Sequence, residues 1–268
     1  MTTSQLTIER GDVRICVTDL GGNGAPVVLL HGLAGSSLEL LPTADALSQQ
    51  FRVILIDQRG HGRSTRRPAD LSRAAFVSDT LAVIEQLVPN QKVRLVGQSM
   101  GAHTAFLTAA ARPDLVERLV MLEGHPGGDR RPDAAIKIGA FFSSWPTPFV
   151  DAGSAREFLG DSALATAWIN DLEFSPQGLR PRFDPDIMQA TIAAVHVPRW
   201  HAWENLQTPT LAIFADNGMF TSEEKDELVE RRRQTRRRDL ANASHDAHLD
   251  AYELWMNVLS EYLQEDLA

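Results

Sequence analysis

Short, unbroken apolar runs alternate along this chain with longer stretches whose apolar positions recur every three or four residues. Val27-Val28-Leu29-Leu30 is one such run. Arg52-Val53-Ile54-Leu55-Ile56, Val93-Arg94-Leu95-Val96, Leu119-Val120-Met121-Leu122 and Leu211-Ala212-Ile213-Phe214 follow it. Runs of this length, bounded by turn residues, predict strands buried on both faces. Residues 13–19 alternate instead and predict a further strand, ended by a turn at Gly21-Gly22-Asn23-Gly24. Between the runs, residues 38–47, 74–87 and 102–111 predict helices. In the second of these, Phe76, Val77, Thr80, Leu81, Ile84 and Leu87 share one face. A last helical pattern carries Leu249, Tyr252, Trp255, Val258, Leu259 and Tyr262. Strands alternating with helices predict an α/β fold whose mostly parallel sheet is covered on both sides.

The rhythm breaks between 125 and 206. This segment holds ten of the 18 aromatic residues and eight of the 14 prolines. It predicts short helices separated by proline turns, inserted between two parts of the sheet domain (1–124 and 207–268). Such an insertion reads as a cap over a site. Phe141, Trp145, Trp168 and Trp203 are its candidate substrate contacts, although a small subdomain also needs aromatics for its own core.

Composition narrows the function classes. Of the 268 residues, 43% are hydrophobic and 23% charged, as in ordinary globular proteins. No stretch approaches the ~20 apolar residues of a membrane span. The start of the chain lacks the basic and apolar regions of a secretory leader. One cysteine, Cys16, excludes an internal disulfide and suits a reducing cytoplasm. A net charge of −9 argues against a general nucleic-acid binder. The basic run from Arg231 to Arg238 follows the acidic Glu223-Glu224-Lys225-Asp226-Glu227. It reads as one helix with acids in its first turns and bases in its last, which the helix dipole favours.

The strongest chemical signal is Gly97-Gln98-Ser99-Met100-Gly101, a G-x-S-x-G motif with a strand before it and a small-residue helix after it. A serine on such a turn is lifted clear of the sheet, and the glycines let neighbouring backbone pass closely. Two further patterns accompany it. His31-Gly32-Leu33 directly follows the strand at 27–30. Asp57-Gln58-Arg59-Gly60-His61-Gly62-Arg63-Ser64 follows the strand at 52–56.

With these three motifs the sequence resembles the α/β-hydrolase family over most of its length. The resemblance implies an eight-stranded, mostly parallel sheet with a helical cap inserted after the sixth strand. It implies Ser99 as nucleophile and the backbone N–H groups of Leu33 and Met100 as the oxyanion hole. His31 shapes its loop, and Asp57, Arg59 and His61 are structural residues of a glycine-rich turn. His245, in the loop before the last helix, fits the place of the base, with Ser244 where the family usually has glycine. His248, three residues on, is the alternative. No third ligand accompanies this pair, so a metal site is set aside. His103 reads as a packing residue, whereas His125, His196 and His201 belong to the cap and are candidates to line a site.

The acid departs from the family pattern. Its usual place, just beyond the strand at 211–214, falls on Gly218, with Asp216 two residues early. Some members carry the acid after the preceding strand, which here is Glu123. Glu123 is the favoured acid and Asp216 the alternative, because the role needs geometry rather than a set chain position. The expected function is a serine hydrolase cleaving a carboxylic ester or lactone of a small, largely apolar molecule, without metal or organic cofactor. A thioesterase or a carbon–carbon bond hydrolase of the same fold is the alternative, and a ligand-binding protein without catalysis a third reading. Dehalogenases and epoxide hydrolases of this fold use an aspartate nucleophile, and the slot here is Ser99.

Overall fold

A computed structural model describes residues 3–129 and 131–265. Met1 and Thr2, at the head of the stretch inspected for a leader, lie outside the described residues. In chain order the strands are β1 (Ser4–Arg10), β2 (Val13–Asp19), β3 (Pro26–Leu30), β4 (Arg52–Ile56), β5 (Val93–Gln98), β6 (Val116–Leu122), β7 (Glu173–Ser175), β8 (Gly178–Arg180), β9 (Thr210–Asn217) and β10 (Arg236–Ser244). The helices are α1 (Leu41–Leu47), α2 (Arg73–Leu87), α3 (Met100–Ala111), α4 (Ala134–Ser143), α5 (Ala152–Leu159), α6 (Ala163–Asn170), α7 (Pro185–Val195), α8 (Trp200–Glu204), α9 (Ser222–Arg231), α10 (Ala247–Asp250) and α11 (Tyr252–Gln264).

Eight strands form one sheet in the order β1-β2-β4-β3-β5-β6-β9-β10. β1 and β2 pair antiparallel, β2 meets β4 antiparallel, and all later neighbours run parallel. The apolar runs occupy the middle of the sheet because both faces there are covered. On β3, Val28 and Leu30 join one core with Val83, Ile84 and Phe106 of α2 and α3. Val27 and Leu29 join the other, with Ala44 of α1 and Trp255 and Leu259 of α11. Each fully buried aliphatic side chain contributes roughly 1.5–3 kcal/mol, so these central strands anchor everything the loops at their carboxyl ends carry.

The eight strands implied by the resemblance are present, but the apolar pattern does not place the two edge strands. β1 and β10 are polar along most of their length; β10 buries only Leu240 and Ala243. The basic run is corrected accordingly. Arg231 ends α9, but Arg236, Arg237 and Arg238 lie on β10, where their charges guard an open sheet edge. Asp226 and Asp239 both pair with Arg237.

The cap lies between β6 and β9. It comprises α4 to α8 and the β7–β8 hairpin, which the pattern of proline turns did not suggest. Phe142, Trp145, Phe149, Phe183, Ile187 and Met188 form its own core, into which Ala34 and Leu33 of the β3 loop pack. Arg66, on the loop after β4, clamps the cap by bonding Asp184, Glu173 and the carbonyl of Phe183.

Candidate active site

Ser99 stands between β5 and α3 with φ 52° and ψ −116°. Such a conformation costs about 1–3 kcal/mol for a residue with a side chain. Both glycines of the motif are obligatory here. A Cβ on Gly97 would come 2.3 Å from the Gly101 backbone, and one on Gly101 would come 2.2 Å from the Leu30 carbonyl oxygen. The turn is therefore held between β3 and its own helix, and Ser99 lines a cavity of about 440 Å³.

His245 follows β10 and lines the same cavity. Its Nδ1 lies 3.1 Å from Glu123 Oε2, which leaves Nε2 as the nitrogen free for Ser99. The Gln98 side-chain amide donates to the His245 carbonyl at 3.2 Å and so ties the histidine loop to the serine turn. Gln98 was not singled out from the sequence. Its place inside G-x-S-x-G is the only signal it carries.

Glu123 ends β6 with its side chain fully buried and its backbone at φ 50°. An isolated buried carboxylate is expensive, and three groups meet this one. The Ala215 N–H donates to Oε1 at 2.8 Å, the Met219 N–H donates to Oε2 at 2.8 Å, and His245 Nδ1 approaches Oε2. Asp216 is exposed at the end of β9 and makes no side-chain hydrogen bond among the described residues. The structure thus brings Glu123 to His245 and leaves Asp216 outside. His248 is 2% exposed and lies 4.0 Å from Glu39, with burial first and the His245 charge second pushing it down to about 3. It does not line the cavity.

The His31-Gly32-Leu33 loop is built from behind. His31 is fully buried, its Nδ1 bonded to the Gly32 carbonyl and its Nε2 accepting the Gln58 N–H. Glu39 Oε1 accepts the Gly32 N–H at 3.2 Å. A Cβ on Gly32 would stand 3.6 Å from Ser99 Cβ, so this loop abuts the serine. The Leu33 N–H makes no hydrogen bond among the described residues, and that of Met100 belongs to the first turn of α3, where helical partners are lacking. Met100 lines the cavity, whereas Leu33 is not among its lining residues. The glycine-rich turn behind them pairs outward as well as inward. Asp57 accepts the Ser37 and Arg63 N–H groups, while Arg59 forks onto Asp79 of α2.

The four cap aromatics require a correction. None of Phe141, Trp145, Trp168 and Trp203 lines the cavity. Phe141 is half exposed, Trp145 is 4% exposed in the cap core, Trp168 packs on both, and Trp203 is fully buried against Phe106. Trp145 and Trp168 stabilise the cap, in the cluster that also takes in Leu33 and Ala34, while Trp203 belongs to the core under the sheet. The apolar wall is instead Met100, Ile192, Val195, Met219 and Phe220. Ile192, Val195 and His196 have the i, i+3, i+4 spacing of one helix face on α7 and its cap, a signal the sequence did carry. His125 and His196 line the cavity too, whereas His201 does not. His103, read as packing, stacks edge-on to Phe106 yet also faces the cavity.

Comparison with known proteins bears on the fold. A segment is 41% identical over 122 residues to the sn-1-specific diacylglycerol lipase ABHD11 of Mus musculus, covering 44% of this chain and 38% of that protein. Another is 36% identical over 103 residues to the (E)-2-((N-methylformamido)methylene)succinate hydrolase of Acinetobacter baylyi, covering 38% of this chain and 39% of that protein. The matched stretches therefore span under half of these curated relatives. Among solved structures, E-2-(acetamidomethylene)succinate hydrolase superposes with a TM-score of 0.90 at 20% identity, covering 98% of this chain and 100% of that one. The thioesterase domain from the curacin biosynthetic pathway superposes with a TM-score of 0.78 at 23% identity, over 97% and 100%. At these identities the likeness is one of fold. The sequence profile of the alpha/beta hydrolase fold matches residues 25–252, and the chain belongs to that family.

Proposed function

We propose that this protein is a serine hydrolase that cleaves a carboxylic ester or lactone of a small molecule. The observation that carries the reading is the 3.1 Å approach of His245 to the buried Glu123, beside Ser99 in one cavity. Ser99 Oγ attacks the carbonyl carbon as its proton passes to His245 Nε2. The carbonyl oxygen gains the negative charge and takes hydrogen bonds from the Leu33 and Met100 N–H groups; one such donor is worth about 3 kcal/mol in a transition state. Glu123 holds the histidine tautomer and stabilises the imidazolium. The imidazolium returns its proton to the departing alkoxide. Water, deprotonated by His245, then releases the acid from Ser99.

The aliphatic wall of Ile192, Val195, Met219 and Phe220 supports a mainly apolar acyl or alcohol part. The chain's similarity to a diacylglycerol lipase and to a hydrolase of a substituted succinate supports hydrolysis of small carbonyl compounds. The segment 125–206 acts as a cap over the cavity. The buried, unpaired Cys16 supports a reducing, cytoplasmic setting. Among the described residues, no helix is long and apolar enough to cross a membrane. A fluorophosphonate probe tests the reading: it labels wild-type protein and not Ser99→Ala, and only wild type hydrolyses short aryl esters. Equal turnover by Ser99→Ala would overturn the mechanism.

A further inference from the structure

Most of the polar lining of the cavity is already engaged. Glu123 accepts its three partners, Asp129 is forked by Arg131, Glu224 accepts the Thr221 N–H, and Glu227 accepts from Arg231. His125 uses both ring nitrogens, one toward the Gly127 N–H and the other toward the Glu224 carbonyl. Beyond Ser99 and His245, two imidazoles remain, those of His103 and His196. His103 is 1% exposed, and neither of its ring nitrogens meets a protein partner. The His196 side chain makes no hydrogen bond among the described residues.

The ground behind His103 is electropositive, whereas the Asp129 carboxylate, already forked by Arg131, stands near His196. Arg73 of α2 is 3% exposed. Its Nη2 bonds the Met100 carbonyl and Thr104 Oγ1 on α3, while Nε and Nη1 have no partner. The Nε of Arg199, just before α8, is likewise buried and unpartnered. Neither guanidinium pairs with a carboxylate among the described residues. Burial first, and then the charges of Arg73, Arg199 and His196, hold His103 well below the ordinary histidine range. The imidazole is therefore neutral, with one N–H to donate, in a field that favours an anion.

We propose that the His103–His196 end of the cavity binds a carboxylate carried by the substrate, so that Ser99 acts on a half-ester of a dicarboxylic acid. The proposal rests on the hydrolase reading and adds one charge to an otherwise apolar substrate. His103 follows Ser99 by four residues on α3, a rise of about 6 Å. The carboxylate thus sits a few carbons from the scissile carbonyl. A neutral apolar group leaves the His103 N–H unmet, whereas a carboxylate accepts from it; Arg73 and Arg199 lie behind, outside the cavity lining, and act on that charge only through their field.

The test compares phenyl hydrogen adipate with its neutral counterpart, methyl phenyl adipate, by phenol release. Wild-type protein favours the half-acid by about ten-fold or more in kcat/KM, mainly through KM. His103→Phe and His196→Ala each lower that ratio several-fold, whatever they do to either rate alone. A wild-type ratio at or below one overturns the proposal, as does a ratio that neither variant moves. Calorimetry on Ser99→Ala gives a reading independent of catalysis. Binding of adipate but not of dimethyl adipate supports the subsite, and equal or absent binding of both overturns it. If neither ester turns over and Ser99 resists the fluorophosphonate, the hydrolase reading has failed by itself, and the calorimetric comparison still decides the subsite.

Discussion

A side chain on Gly218 and the carboxylate of Glu123 cannot occupy the structure together. A Cβ built on Gly218 would stand 2.4 Å from either carboxylate oxygen of Glu123. The family's usual acid position and the one that Glu123 fills thus lead into the same space beside His245, from two neighbouring strands. β6 and β9 pair in parallel, so their carboxyl ends are adjacent, and either can deliver a carboxylate to the same imidazole.

The acid can therefore be moved. Glu123→Gln is expected to lower kcat by about 10²–10⁴-fold, since the histidine loses the partner that fixes its tautomer. Asp216→Asn is expected to change kcat by less than about two-fold, as an exposed side chain without partners. The double change Glu123→Gly with Gly218→Asp should recover at least about ten-fold over Glu123→Gln. Steady-state kinetics on an aryl ester check all three, and a larger loss from Asp216→Asn would reverse the assignment.

The serine turn should be intolerant of a single methyl group. Gly97→Ala and Gly101→Ala each force a Cβ into backbone atoms that flexible side chains cannot vacate. Each is expected to cost about 2–4 kcal/mol of stability, or to stop folding. Gly11→Ala is the contrasting case. Its φ is +65° but nothing lies within 4 Å of the new Cβ, so it costs only about 1 kcal/mol. Urea denaturation of the three proteins measures the difference.

Aromatics and aliphatics of the cap should divide stability from substrate binding. Trp203→Ala removes a fully buried ring and is expected to cost about 3–5 kcal/mol. Ile192→Ala opens the cavity wall and should raise KM for an apolar ester several-fold, with kcat changed far less. Denaturation midpoints together with KM values distinguish the two roles. A Trp203→Ala protein of wild-type stability would show that the ring is not part of the core.

Glu39 and His248 should bend the pH dependence of stability in opposite directions. Burial raises the Glu39 carboxyl to about 8, so between pH ~4.5 and ~8 the folded protein holds a proton that the unfolded chain has released. Its contribution is full at low pH and disappears as pH rises through 8. Burial lowers His248 to about 3, so between pH ~3 and ~6.5 the unfolded chain binds the extra proton. That stability is present above pH 6.5 and is lost on acidification toward 3. Glu39→Gln should flatten the alkaline decline and His248→Gln part of the acidic one, read from denaturation midpoints between pH 4 and 9. Since Glu39 also accepts the Gly32 N–H, Glu39→Gln keeps an acceptor there and preserves the loop.

Legibility in the sequence followed burial. β3, β4, β5, β6 and β9 were readable because strands covered on both faces must be apolar throughout. β1 and β10 were not, because an edge strand needs few apolar residues and is protected by charge; Arg236 to Arg238 therefore looked like a solvated helix end. Ser99, His245 and Glu123 were readable as candidates, since motif and chain order mark them. The wall formed by α7 was not readable, because an apolar i, i+3, i+4 face looks the same whether it lines a cavity or packs in a core.

Local pattern therefore determined the strand–helix order, the serine turn with its two obligatory glycines, and the break where the cap enters. These depend on contacts between near neighbours in the chain, or on burial so complete that it marks each residue. Tertiary structure alone decided that Glu123 rather than Asp216 meets His245, that Trp145 and Trp168 pack in the cap core while Trp203 packs under the sheet, and that His103 lines the cavity. Each of those depends on which strand ends and helices become neighbours in space. Residues 99, 123 and 245 lie far apart along the chain, and only the parallel register of β5, β6 and β9, with β10 beside them, sets the three side by side.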